Sequence, residues 1–211
     1  MKKILLVATM LLTGCAITPQ ARIAPTVYDL GLMQPTDASA PSGQPLMASL
    51  LVAEATAPTW LDSQAIQYRL AYHDPSQTHG YANSRWAAAP AALLTQRIRS
   101  RIAVVTNNGV VSASDGVRAD YVLRLGLEEF AQVFDTAEQS RVVVRLRASL
   151  VERGTRRLLA QRNFSVEQAA PTADATGAVH ALTEAGDRLT GDLIDWLAAK
   201  LAGEGKTVSG K

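Results

Sequence analysis

Tyr121-Val122-Leu123-Arg124-Leu125-Gly126-Leu127-Glu128 is the stretch whose alternation decides the fold. Its large apolar side chains recur at every second position, which is the period of a β-strand with one buried face. Similar alternation follows in Gln139–Val151 and Thr155–Val166, with turn residues at Glu152-Arg153-Gly154 between them. Three consecutive strands joined by short links predict an antiparallel meander.

The middle strand of this meander has a charged face. Arg141, Arg145 and Arg147 share one phase with Val143, and the other phase is apolar: Val142, Val144 and Leu146. A row of like charges on one face of a sheet usually indicates a solvated face. The row could instead meet a partner, and the sequence leaves both interpretations open.

Two long helices are predicted around the meander. In the first, Pro90 suits the first turn, and Leu94, Ile98 and Ile102 repeat every four residues before Asn107-Asn108-Gly109 ends the helix. Off that stripe lie three arginines, Arg97, Arg99 and Arg101. They indicate either a solvated helix face or a phosphate- or partner-binding site, and the first interpretation is favoured.

The second helix is predicted over Asp174–Leu201, with a stop at Gly203. The segment before the first helix predicts strands at Val27–Leu30, Leu46–Ala55 and Ile66–Tyr72, a mobile loop at Gln34–Pro45 and a polar turn at His73–Gly80. Strands and helices in this order predict one α+β domain over residues 26–203, a mainly antiparallel sheet with two long helices packed on one face. Residues 204–211 are predicted to be a disordered tail.

The amino terminus has the layout of a secretory signal peptide over residues 1–14. Lys2 and Lys3 precede an apolar run that is too short to span a bilayer. Leu12-Thr13-Gly14-Cys15 is similar to the bacterial lipobox, in which the cysteine is acylated. Cys15 is the only cysteine, so it has no disulfide partner. We predict lipidation of Cys15, followed by a linker over residues 15–25.

Composition and charge restrict the function. Cleavage of the signal peptide would remove Lys2 and Lys3 from the 21 basic residues and leave 19, equal to the 19 acidic residues. A net charge near zero argues against nucleic acid as a partner. Phosphate loops, nucleophile motifs and metal-ligand spacings are absent from the sequence, and His73, His79 and His180 are scattered. We therefore predict a protein that is not an enzyme and needs no cofactor or metal.

The motifs together resemble the ABC-type transport auxiliary lipoproteins, the PqiC-like group. The resemblance rests on the order and spacing of Cys15, Tyr28-Asp29-Leu30, Pro58-Thr59-Trp60-Leu61-Asp62, Arg85-Trp86-Ala87 and Asp120-Tyr121-Val122-Leu123. It implies a non-catalytic accessory part of an MCE-type, Mla-like ABC system that moves lipids between the inner and outer membranes. The implied partners are an MCE-domain protein, the ABC permease and ATPase, phospholipid, and further copies of the chain.

The location follows from the residues after the cysteine. An aspartate directly after the lipidated cysteine resembles a signal that retains a lipoprotein in the inner membrane. Ala16 and Ile17 follow Cys15 instead, so we expect an outer-membrane anchor facing the periplasm. A structural or assembly lipoprotein of another envelope machine, for lipopolysaccharide export or secretion, is the alternative. A tethered hydrolase is disfavoured because no nucleophile–base set is present.

Five residues are predicted to bind the partner: Trp60, Leu61, Asp62, Arg85 and Trp86. They lie in two segments, Trp60–Asp62 and Asn83–Trp86, that we expect to form loops. The competing interpretation places both tryptophans in the core, because burying a large aromatic ring stabilises the fold by about 2–3 kcal/mol. Asp62 and Arg85 could also pair with each other, which would add little stability at an exposed site.

Overall fold

The computed structural model describes residues 24–32, 48–106, 110–111 and 118–208. Within them lie eight strands and two helices in one α+β domain, which confirms the predicted fold class. The strands are β1 (Thr26–Tyr28), β2 (Leu50–Val52), β3 (Ala65–Leu70), β4 (Asp74–Trp86), β5 (Val110–Val111), β6 (Tyr121–Phe134), β7 (Ser140–Glu152) and β8 (Leu158–Ala169). The helices are α1 (Pro90–Val105) and α2 (Ala175–Val208). Neither helix combines the length and apolar character needed to cross a bilayer.

The sheet is built around β6. Antiparallel β7 follows it from Tyr121↔Glu152 to Phe134↔Ser140, and antiparallel β8 flanks β7, so the predicted meander is confirmed. The other side of β6 is shared by two parallel strands, β2 near its start and β3 near its end. Antiparallel β4 and then parallel β1 extend the sheet beyond β3, and β5 lies beyond β2.

Both helices cover the same face of this sheet. On that face the apolar phases of β6 and β7 are buried, with Leu123, Val144 and Leu146 fully inaccessible. The predicted stripe of α1 (Leu94, Ile98, Ile102) and that of α2 (Leu182, Ala185, Leu189, Leu193) join the same cluster. Asp174 caps α2, because its carboxylate accepts a 2.8 Å hydrogen bond from the Gly177 backbone N–H. This hydrogen bond lowers the pKa of Asp174.

The polar turn predicted at His73–Gly80 is wrong, because β4 begins at Asp74 and runs to Trp86. The turn is confined to Ala71–His73. Most of β4 is solvent-exposed, and its place is set by backbone pairing with β3 (Tyr68↔His79, for example). A strand held by such pairing needs no apolar alternation, so side-chain pattern alone missed it.

Other predicted boundaries also differ from the structure. The strand predicted over Leu46–Ala55 is reduced to Leu50–Val52, and the one predicted at Val27–Leu30 covers Thr26–Tyr28. The stop predicted at Gly203 is wrong: α2 continues to Val208 and takes in most of the segment predicted as a disordered tail. An internal glycine costs a helix only about 1 kcal/mol relative to alanine, which does not end it. Cys15, Gln34–Pro45 and Asn107-Asn108-Gly109 lie outside the described residues.

The solvated face favoured for the arginines of α1 is also wrong for two of them. Arg97 is 7% exposed and forms two hydrogen bonds to Asp187 of α2, at 2.5 and 2.6 Å. It also donates to the backbone carbonyls of Leu30 and Gly31. Arg99 donates to the Val52 carbonyl and to Glu54. Both guanidinium groups therefore join α1 to its neighbours.

We expect Arg97→Met to lower the free energy of unfolding by about 3 kcal/mol, because it leaves a partly buried carboxylate without its partner. The additional change Asp187→Leu should recover part of that loss. Urea unfolding followed by circular dichroism measures both, with the exposed Arg188→Met as the control. A midpoint for Arg97→Met equal to that of the control would contradict the assignment.

A second prediction concerns Trp86, which is fully buried against Phe130 with ring centroids 5.6 Å apart. Its indole Nε1 has no hydrogen-bond partner in the described part of the chain. Trp86→Ala should destabilise the fold by about 3–5 kcal/mol through the cavity it leaves. Trp86→Phe should cost much less, since it removes an unsatisfied donor while keeping a ring. Thermal unfolding measures the loss of stability in each variant. Equal losses in the two variants would contradict the prediction.

Candidate partner-binding surface

The face of the sheet opposite the helices is an array of charges. Arg141 pairs with Asp135 and, at 3.1 Å, with Glu167, and Arg145 lies 3.9 Å from the same glutamate. Arg147 and Glu128 are 3.6 Å apart. Arg69 and Glu129, 3.4 Å apart, belong to the same array. We call these ion-paired residues together the charged face.

The charged face is solvated, with the Arg145 and Arg147 side chains 52% and 53% exposed. Its arginines are also paired, because carboxylates from β6, β8 and the β6–β7 turn neutralise them. Ion pairs as exposed as those of Arg141, Arg145 and Arg147 contribute about 0–1 kcal/mol each. They are therefore weak enough to be exchanged for charges of a docking protein.

Trp60 lies at the margin of the charged face. The Arg69 guanidinium sits 5.1 Å from the centroid of the Trp60 ring, and the same side chain reaches Glu129. Trp60 remains 37% exposed, although Gln67 donates a 3.4 Å hydrogen bond to its carbonyl. A cation–π contact and a fixed backbone hold a large aromatic ring at the surface. Such a ring is a common anchor of protein interfaces.

The other predicted partner residues divide between core and surface. Leu61 is 1% exposed and Trp86 is fully buried, so both side chains belong to the core. Asp62 and Arg85 are exposed, but no ion pair joins them among the described residues. Arg85 instead donates a 3.4 Å hydrogen bond to Gln64. Arg85 and Trp86 also end strand β4 rather than forming the expected loop.

A groove of about 910 Å³ lies beside β1, where the described chain begins. One wall is the segment from Val27 to Leu32, and the other is the first half of α2, including Val179. Val27 and Leu32 are 51% and 92% exposed, which leaves apolar surface at the entrance. Arg97 and Asp187 line the groove but are already paired with each other.

Three titratable side chains, His79, His180 and Tyr81, contact neighbouring side chains. His79 stacks on Tyr68 with ring centroids 5.2 Å apart, and His180 faces Glu184 at 3.6 Å. Tyr81 donates a 2.6 Å hydrogen bond to Gln132, and burial raises the pKa of its phenol. No group of three or more potential metal ligands occurs in the residues that the structure describes.

Sequence reasoning found the arginine row and Trp60 but missed what connects them. Arg69 bridges the two, and only the parallel pairing of β3 with β6 brings it beside Glu129. The carboxylates opposite the row could have been found from strand phase, because Glu167 is aligned with Val143 between Arg141 and Arg145. The alignment of β3 has no such local signal.

Two solved structures share this fold over most of the chain. Protein XCC0632 from Xanthomonas campestris has a TM-score of 0.70 at 22% identity, covering 87% of this chain and 98% of that one. A second crystal structure, of an uncharacterised protein, has a TM-score of 0.62 at 18% identity, covering 81% and 96%. No curated protein matches in sequence. At these identities the likeness shows the fold alone.

The sequence itself matches a family model. The model for the ABC-type transport auxiliary lipoprotein component matches residues 28–193, from the end of β1 through more than half of α2. This match confirms the resemblance found in the motifs. Because it covers most of the chain, the protein belongs to the family of ABC-type transport auxiliary lipoproteins.

Proposed function

We propose that the protein is a non-catalytic accessory component of an MCE-type ABC system that transports lipids between the inner and outer membranes. Membership in the auxiliary lipoprotein family is the observation on which the proposal rests, since it links the chain to an ABC transport system. The MCE-domain protein and the permease–ATPase complex are the proposed partners. Contact between proteins, rather than chemistry on a substrate, is the proposed contribution of this subunit.

The proposed anchor is lipidated Cys15 in the outer membrane, with the domain in the periplasm. Strand β1 begins at Thr26, eleven positions after that cysteine. A chain of this length spans at most about 40 Å when fully extended. The tether would therefore hold the domain near the membrane surface while allowing it to turn toward a partner. Acyl chains on one cysteine make release rare, because each buried methylene contributes about 0.8 kcal/mol.

The charged face with Trp60 is the proposed docking surface. It is the face that the helices leave uncovered, and it combines an exposed aromatic ring with ion pairs that are weak enough to rearrange. Interface energy is usually concentrated in a few aromatic and arginine residues. Trp60 and Arg69, already in contact, have those properties.

We expect Trp60→Ala to reduce recovery of the transport partner by about tenfold or more, since an anchoring tryptophan contributes about 2 kcal/mol or more to an interface. The lipidated protein is pulled down from gently solubilised envelopes, and the proteins recovered are quantified by mass spectrometry. Tyr72→Ala is the matched control, because Tyr72 is an exposed aromatic residue in the turn between β3 and β4. Unchanged recovery with Trp60→Ala would contradict the proposed surface.

The same pull-down of the unaltered protein tests the proposed function itself. Recovery of an MCE-domain protein with an ABC permease is the expected result. Recovery of a lipopolysaccharide-export or secretion complex would overturn the proposal in favour of the alternative, and recovery of the protein alone would also contradict it.

The anchor leads to a separate prediction. Cys15→Ser should shift the protein out of the lipidated fraction, because the thiol that receives the lipid is removed. Ala16→Asp should retain the lipidated protein in the inner membrane, while Ala16→Ser should leave it in the outer membrane. Sucrose-gradient separation of the two membranes with immunoblotting gives the distribution. Normal outer-membrane fractionation of Cys15→Ser would rule out this anchor.

A further inference from the structure

Three arginines at the far end of the open sheet face have no carboxylate partner among the described residues. Arg124 of β6 and Arg153 and Arg156 of the β7–β8 turn are exposed, and none forms an ion pair with a described residue. All three line one concavity of about 580 Å³. The single carboxylate there, Glu152, is already engaged by Thr155 and Arg157.

The contrast with the charged face makes this concentration of charge significant. A few residues along the same strands, Arg141, Arg145 and Arg147 each have a carboxylate within 4.0 Å. The arginines of the charged face are therefore neutralised, whereas Arg124, Arg153 and Arg156 form no ion pair with a described residue. Like charges held together raise the free energy of the folded chain unless an anion joins them.

The backbone supports the same conclusion. Arg156 has a φ of 59°, in the left-handed region that non-glycine residues seldom adopt. A glycine would fit that turn without strain, yet the chain places a guanidinium there. Strained positions that persist are often found where a side chain has a binding role.

Three apolar side chains line the same concavity. Val122, Val151 and Leu158 lie side by side on adjacent strands, since Val122 is aligned with Val151 and Val151 with Leu158. Leu158 is 53% exposed, so hydrocarbon surface stands next to the guanidinium groups. A ligand that satisfies both parts has an anionic head and an adjoining hydrocarbon chain.

We propose that this concavity binds a phospholipid, with the phosphate on Arg124, Arg153 and Arg156 and the hydrocarbon against Val122, Val151 and Leu158. Guanidinium groups form short, charge-assisted hydrogen bonds to phosphate oxygens. The biological role of the site rests on the proposed function, for which it supplies a lipid-contact point distinct from the Trp60 docking surface.

The test is native mass spectrometry of the lipidated mature protein in a neutral detergent, titrated with dioleoyl phosphatidic acid. Dioleoylglycerol has the same chains without phosphate, and inorganic phosphate has the anion without chains. We expect phosphatidic acid to bind at least about tenfold more tightly than either, since it alone contacts both parts of the site.

Variants assign the binding to these residues. Arg124→Gln, Arg153→Gln and Arg156→Gly together should weaken phosphatidic acid binding at least about tenfold, because the charge-assisted contacts are lost. Arg162→Gln, Arg188→Gln and Lys200→Gln remove the same charge from other exposed positions and should leave binding unchanged. Arg156→Gly alone should weaken binding without lowering the melting temperature, because glycine accepts the positive φ.

Three results would overturn the inference. Equal binding of dioleoylglycerol would remove the role of the arginines, and equal binding of inorganic phosphate would assign the site to a free anion. Binding unaffected by the triple change at Arg124, Arg153 and Arg156 would place the lipid elsewhere. The pull-down tests the transport partner and this titration tests the site, so the failure of one is distinguishable from the failure of the other.

Discussion

The hydrogen bonding of β6 on both sides is the constraint on which the rest of the structure depends. This 14-residue strand is paired along its whole length by β7, but no single strand pairs its other side. β2 and β3 share that side, and between them Thr56 bonds to the backbone of Leu125 and Leu127 at 3.0 and 2.8 Å. A buried backbone group without a partner is costly, so this bridge keeps the central strand satisfied where the two short strands separate.

Because β6 is central, its two faces separate the buried core of the molecule from the open surface of the sheet. One face, together with β7 and β8, is covered by α1 and α2 and forms a continuous apolar core. The other face is left open, and its side chains are those of a surface built from charges and one exposed indole. Trp60 and Trp86 show the result. Trp86 is inaccessible against Phe130, whereas Trp60 stands at the edge of the open face.

The arginines show how environment decides the role of one side-chain type. Arg97 is buried and holds α1, α2 and the segment after β1 together through four hydrogen bonds. Those of the charged face are balanced by nearby carboxylates, and Arg124, Arg153 and Arg156 form no ion pair with a described residue. The planar guanidinium donates in several directions at once, which suits all three settings. In the last setting no described carboxylate forms an ion pair with these guanidinium groups.

The sequence by itself determined the meander, the two helices, their apolar stripes and the lipobox-like segment. Each is encoded locally: a period of two along β6–β8, a four-residue repeat in α1, and a short run ending in Cys15. The motif order also identified the family. The tertiary structure alone decided the extent of β4, the continuation of α2 past Gly203 and the burial of Leu61 and Arg97. It also brought Arg69 beside Trp60 and Glu129 and gathered Arg124, Arg153 and Arg156 around one concavity. These features depend on strand register and on contacts between residues far apart in the chain, so no periodicity in the sequence encodes them.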